Sequence, residues 1–181
     1  MNEQEITTSP AAQQSTSEAT LHVAYGPLRD PEVMERIVGP PLKKIGDVAI
    51  LGVGLAEQNL EHLPAAAQSV LIEQGVNPES FVSTGLTKET TDPNGGIGGT
   101  LFSLTPEQAQ KLDDYELTDT GWFTREDVTV ATPQGDELVV STHVLPEASQ
   151  TAGLVPEISN LETDQKTATL KNIDQYNDGK K

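Results

Sequence analysis

The sequence has no cysteine, few cations and no long apolar run. Without cysteine, its 181 residues cannot form a disulfide framework, a thiolate nucleophile or a Cys-ligated zinc site. Eleven Lys and Arg face 28 Asp and Glu, a formal charge of −17 at neutral pH. Phosphate recognition needs clustered cations to displace counterions, so no nucleic acid is expected as a partner. An anionic membrane surface is disfavoured on the same ground. No apolar stretch approaches the ~18 residues of a membrane helix. Neither a basic n-region nor an apolar h-region opens the chain. The expected address is cytoplasmic.

Composition shifts at both ends. Residues 1–20 hold one Ile and no aromatic, too little apolar area to offset ordering entropy, and read as a disordered arm. Residues 160–181 form a polar tail in which Leu161, Leu170 and Ile173 are too sparse for a wide apolar face, with a short helix the most it could form. The arm carries three acids, and the tail four acids and four bases. The middle therefore keeps 21 acids against 7 bases. That acidity speaks first of solubility.

The middle, residues 21–159, reads as one α+β domain. Leu21–Tyr25 is a short strand. Asp30-Pro31 opens a helix with an N-cap carboxylate and Pro at the first helical position, and Gly39 closes it. Asp47–Val53 is a second strand, Pro64–Gln74 a helix, and Ser80–Ser83 a short strand. Thr84–Gly99 reads as a loop dense in Gly, Thr, Asp and Pro. Thr100–Leu104 is a strand, and Thr105 with Gln108 makes a capping-box start to the next helix. Trp122–Thr132 and Glu137–Leu145 alternate around Pro133-Gln134-Gly135-Asp136 as a hairpin, Val128 and Val130 facing Leu138 and Val140.

Few motifs carry chemistry. Gly52-Val53-Gly54 follows a strand, but Glu57 stands where a dinucleotide fingerprint wants Gly or Ala, so an ordinary tight turn is the reading. The Asn94–Gly99 loop lacks the Lys of a P-loop. His22, His62 and His143 have no ligand spacing, and no metal or cofactor is expected. His143, on an alternating strand, reads as structural. Asp113-Asp114-Tyr115-Glu116 puts carboxylates against the negative end of a helix, which in so acidic a chain reads as a solvated turn. Tyr25-Gly26-Pro27-Leu28 differs: a strand ends in a Gly turn and a helix begins at once. That geometry aims backbone N–H groups at one spot and can seat a carboxylate without a basic side chain.

With Leu21–Ala24 before it, this segment resembles the Tyr-Gly-Ser/Thr-Leu turn of the gamma-glutamylcyclotransferase-like superfamily, its AIG2-like and gamma-glutamylamine cyclotransferase branch included. Gly99–Leu104, followed by Leu112-Asp113-Asp114-Tyr115-Glu116, resembles that family's glycine-led strand and its helix ending in Leu-Asp-x-x-Glu. Gly121-Trp122-Phe123 with Val128–Thr132 and Gly135 resembles its closing hairpin. The resemblance implies a small mixed β-barrel with flanking helices and a cavity above the turn. It implies an acyltransferase-type reaction that cyclises a small gamma-glutamyl compound to 5-oxoproline and releases the amine. Tyr25, Gly26, Pro27 and Leu28 are its implied substrate-binding residues.

The family's acid–base Glu is expected on or just before the strand, where this chain has Thr100 and Gly95; neither carries a proton at neutral pH. Glu89 and Asp92 in the preceding loop are the nearest substitutes, and the catalytic residue stays unassigned. Pro27 also removes a hydroxyl and an N–H from the turn. The alternative expectation is a non-catalytic member of the fold, a ligand-binding or interaction module.

Overall fold

A computed structural model describes residues 18–88, 95–146, 154–155 and 163–180. Its strands are β1 (Thr20–Ala24), β2 (Lys43–Leu51), β3 (Gly54–Asn59), β4 (Val82–Thr87), β5 (Gly96–Leu104), β6 (Thr124–Ala131), β7 (Glu137–Val144) and β8 (Leu154–Val155). Its helices are α1 (Pro31–Val38), α2 (Ala65–Glu73), α3 (Pro106–Tyr115) and α4 (Thr163–Asp178).

Local chemistry sets the helix ends. The Asp30 carboxylate accepts from the N–H groups of Glu32 and Val33, and Gly39 leaves α1 with φ of 84°. At α3, Thr105 Oγ1 accepts from Gln108 N (3.2 Å) while Gln108 Oε1 accepts from Thr105 N (3.1 Å), the reciprocal cap expected there. The amide nitrogen of Gln108 then donates to the carbonyls of Gly39 and Pro41, tying α3 to the chain leaving α1.

The sheet order is β1-β5-β2-β6-β7-β4-β3-β8, and a parallel bridge between His22 and Ser141 joins β1 to β7. That bridge closes β1-β5-β2-β6-β7 into a ring, while β4, β3 and β8 extend away from β7. The architecture is the α+β one expected, a mixed barrel with an open flank. Alternation divides the core between two faces. Leu101 packs inside the ring with Val23, Ile50, Leu86 and Val130. Its neighbour Phe102 points outward to Met34, Leu112 and Ile173 under the helices. The β6–β7 hairpin has the predicted register, Val128 opposite Val140 and Val130 opposite Leu138.

Gly99 is where β5 crosses closest to its neighbours. A Cβ there would lie 2.6 Å from Val23 Cγ2 and 3.1 Å from Ile50 Cγ1. Gly99→Ala should therefore lower unfolding stability by about 1–3 kcal/mol, read as a shifted urea midpoint with unchanged slope.

The stretch expected as a loop from Thr84 to Gly99 is corrected at both ends. Thr84–Thr87 continue β4 and Gly96–Gly99 begin β5, because each gains a ladder partner in β3 or β2. Glu89 and Asp92 fall outside the described residues, as do residues 1–17 of the expected arm. The polar tail carries the sixteen-residue helix α4. Its docking rests on Ile173, fully buried against α1 and α3. The Arg36–Asp174 pair (2.9 Å) has both ends half exposed, and such pairs contribute less than about 1 kcal/mol. Among the described residues no helix is long and apolar enough to cross a membrane.

Candidate functional site

The chain leaves β1 through Tyr25 and turns into a short 3₁₀ helix, Gly26–Arg29, before Asp30 starts α1. Gly26 holds φ of +58°, a left-handed conformation that glycine adopts without steric cost. A Cβ built there would meet nothing within 4 Å, so the turn faces open space. Tyr25, Gly26, Pro27 and Leu28 lie together in the wall of a cleft of about 1590 Å³. The structure thus brings together all four residues picked from the sequence.

Tyr25 does not present its hydroxyl to that cleft. Its Oη donates to the His143 carbonyl (2.8 Å) and accepts from the Leu86 N–H (3.0 Å). Burial, with the charge of Glu116 adding to it, drives the phenol far above its usual range, so it stays a neutral donor. The hydroxyl is a strut between β4 and β7. The ring beside it walls the cleft. The peptide donors are fewer than four: Pro27 has none, and a 3₁₀ turn capped by Tyr25 draws the Leu28 N–H back to the chain. Gly26 keeps the N–H that Pro27 lacks.

Several carboxylates also line the cleft, and their surroundings differ. Burial works upward on Asp30, but the Lys166 ammonium and the N–H groups of α1 more than reverse it and hold the carboxyl low. Asp47 is held low first by the Thr100 hydroxyl (3.0 Å), with Lys44 at 3.3 Å adding to it against a modest burial effect. Both remain ionised acceptors. Glu116 is opposite: burial pushes its carboxyl up, the charge of His143 partly offsets this, and the nearby Asp113 adds to the rise. It is the C-cap of α3, where the negative end of the helix also disfavours a second negative charge.

The backbone around Glu116 explains its placement. The next residue, Leu117, has φ of 52°, a left-handed conformation that disfavours a branched side chain by about 1–2 kcal/mol. Packing holds it there: Leu117 is buried with Leu60, Trp122 and Phe123. Thr118 Oγ1 donates to the Asp113 carbonyl (3.2 Å) and Thr120 Oγ1 to that of Leu117 (2.7 Å). The chain reverses sharply, and Glu116 stays on the cleft wall rather than in solvent. Trp122 and Phe123 complete the apolar side, with ring centroids 4.9 Å apart and the Trp122 indole N–H on Gln58 Oε1 (2.9 Å).

The resemblance puts the family's Glu where this chain has Thr100 or Gly95, and the sequence reads Asp113–Glu116 as a solvated turn. Thr100 does line the cleft, buried and bonded to Asp47. Glu116, at the far end of the helix that β5 leads into, is a further carboxyl lining that cleft. A carboxylate at the unfavourable end of a helix is the one signal for it that the sequence carries.

No known family model matches the chain, and no curated protein matches it in sequence. Solved structures do. An uncharacterized protein from Homo sapiens superposes on 88% of this chain and 80% of its own, at 16% identity and a TM-score of 0.57. A gamma-glutamyl cyclotransferase superposes on 85% of this chain and 99% of its own, at 12% identity and a TM-score of 0.55. The chain has the gamma-glutamylcyclotransferase-like fold. An AIG2-like protein from Mus musculus covers 83% of this chain and 93% of its own, at 12% identity and a TM-score of 0.50. At these identities the likeness is one of fold, and the gamma-glutamylcyclotransferase-like barrel is what the chain shares with all three. Among the described residues no cluster of His, Asp and Glu could hold a metal ion.

Proposed function

We propose that the protein binds a small gamma-glutamyl compound in this cleft and cyclises it to 5-oxoproline, releasing the attached amine. The observation that carries the reading is Glu116: a carboxyl of raised proton affinity in the same cleft wall as the open Tyr25–Leu28 turn. The chemistry is intramolecular. The substrate's α-amine attacks its own γ-carbonyl, a C–N bond closes the five-membered ring, and the original C–N bond breaks. One proton must leave the attacking nitrogen and one must reach the departing amine. A single carboxyl that takes the first and returns the second suffices. A proton affinity raised by burial makes Glu116 a better base than an ordinary surface carboxylate.

The rest of the site supplies geometry. The Gly26 N–H and the adjacent turn give an anionic headgroup a seat, and the walls of Trp122, Phe123 and Tyr25 exclude water from a folded substrate. Holding the amine in near-attack geometry is the larger part of such a reaction. No cofactor enters the scheme.

The experiment is a chromatographic assay for 5-oxoproline from gamma-glutamyl amines and gamma-glutamyl dipeptides. Turnover of at least one class is expected; no turnover on any, with calorimetric binding retained, would favour the non-catalytic module. The pH dependence gives a second check. The base works only when ionised, so kcat/KM should rise with pH along a limb whose midpoint lies above 4.5, the ordinary Glu value, because burial has moved Glu116 upward. A limb at or below the ordinary value would remove Glu116 from the mechanism.

A further inference from the structure

His143 is almost fully buried on β7, and the scheme above gives it no chemical step. Its contacts nevertheless reach both halves of the site. Its main-chain carbonyl accepts the Tyr25 hydroxyl (2.8 Å), which fixes the end of β1 just before the binding turn. Its ring Nε2 lies 2.7 Å from Asp113 Oδ1, on the last turn of α3, three residues before Glu116. Arg125 pairs directly across from His143 in the β6–β7 ladder. It holds the same carboxylate through Nε on Oδ1 (3.1 Å) and Nη2 on Oδ2 (2.7 Å), and Nη2 also donates to the Ala109 carbonyl (2.9 Å). Two neighbouring side chains of one hairpin therefore grip the C-terminal end of α3. The other ring nitrogen of His143, Nδ1, is buried without a hydrogen-bond partner among the described residues. An imidazole placed only for stability would more commonly satisfy both nitrogens.

We propose that His143 is the positioning residue of this site, holding the Glu116-bearing end of α3 and the Tyr25 turn in one fixed relation. The inference rests on the assignment of Glu116 as the proton carrier. Its electrostatic side agrees with its geometry. Burial alone would raise the Asp113 carboxyl, but the hydrogen bond from His143 and the charge of Arg125 hold it low, so it stands as an anion near Glu116. Facing Glu116 are Asp113 from its own helix, His143 from β7, Tyr25 from the end of β1 and its neighbour Tyr115; Arg125 acts through Asp113. The His22 ring, 5.2 Å from that of His143, is kept from charging first by burial and then by the charges of His143 and Arg125. Asp113 raises the proton affinity of Glu116 and His143 lowers it.

The test is the ¹³C carboxyl titration of Glu116 in wild type, His143→Leu and Asp113→Asn, together with kcat and KM. Removing the like charge at Asp113 should move the Glu116 midpoint to lower pH, and removing His143 should move it higher. Kinetically, His143→Leu should lower kcat about tenfold or more with KM within about twofold. His143→Gln, whose amide nitrogen can reach the place of Nε2, should recover most of that loss. Shifts in the same direction, or none, or an equal loss in the Gln variant, would overturn the proposal. If His143→Leu fails to fold, the Asp113→Asn titration and the Gln variant decide it alone. The NMR reading needs no turnover: opposite shifts in a protein that makes no 5-oxoproline would keep His143 as the positioner and discard the cyclotransferase reading instead.

Discussion

Glu116→Gln should reduce 5-oxoproline release by about 10²- to 10⁴-fold while substrate affinity stays within a few-fold. General acid–base catalysis by one positioned group contributes on that scale, and an amide can neither take nor return the proton. The loss should appear in kcat, because Gln keeps the shape of the side chain and its contacts in the cleft wall. Stability should change in the opposite sense. The folded state raises the proton affinity of Glu116, so that group's contribution is present below the ordinary Glu range and is lost as pH rises through its folded value. Once ionised, Glu116 is a carboxylate in a poorly solvated place. Gln removes that charge, so the variant should melt higher at pH 7, and the difference should shrink below pH 4. Loss of rate together with gain of stability is the signature of a group kept for chemistry. A variant with unchanged turnover would show that another group moves the proton.

The second large effect concerns Tyr25. Its hydroxyl links the Leu86 N–H to the carbonyl of His143 across part-buried space. Tyr25→Phe keeps the ring that walls the cleft and deletes the strut. Each orphaned group then costs about 1–3 kcal/mol, so a loss of roughly 2–6 kcal/mol in unfolding free energy is expected. If the hydroxyl bound substrate instead, the variant would leave stability nearly unchanged and raise KM. Chemical denaturation beside steady-state kinetics separates the two outcomes.

Much of this is legible in the sequence. Asp30-Pro31 with Gly39, and Thr105 with Gln108, are local signals, since the capping atoms lie within a few residues of the N–H groups they satisfy. The β6–β7 hairpin was readable because its alternation continues across a turn with Gly135 at φ of 90°. β3 was not legible: Gly54–Asn59 contains Glu57, Gln58 and Asn59, poor strand formers that pair only because β4 and β8 flank them. α4 was expected to be at most a short helix, because one fully buried Ile173 makes little impression on a polar pattern. Tyr25–Leu28 could be found because a strand, a glycine and a helix start are consecutive. Glu116 could not be assigned, since what raises its proton affinity is burial by residues distant in sequence. The same carboxylate on an exposed helix end would titrate as an ordinary Glu.

The most direct measurement is an amide NMR titration of the Glu116→Gln protein with a gamma-glutamyl amine, which that variant should bind without consuming. Saturable shifts centred on Gly26, Leu28, Thr100 and Phe123 are predicted. Saturable binding whose shifts leave that turn untouched, or no binding at millimolar ligand, would contradict the placement of the gamma-glutamyl group in this cleft.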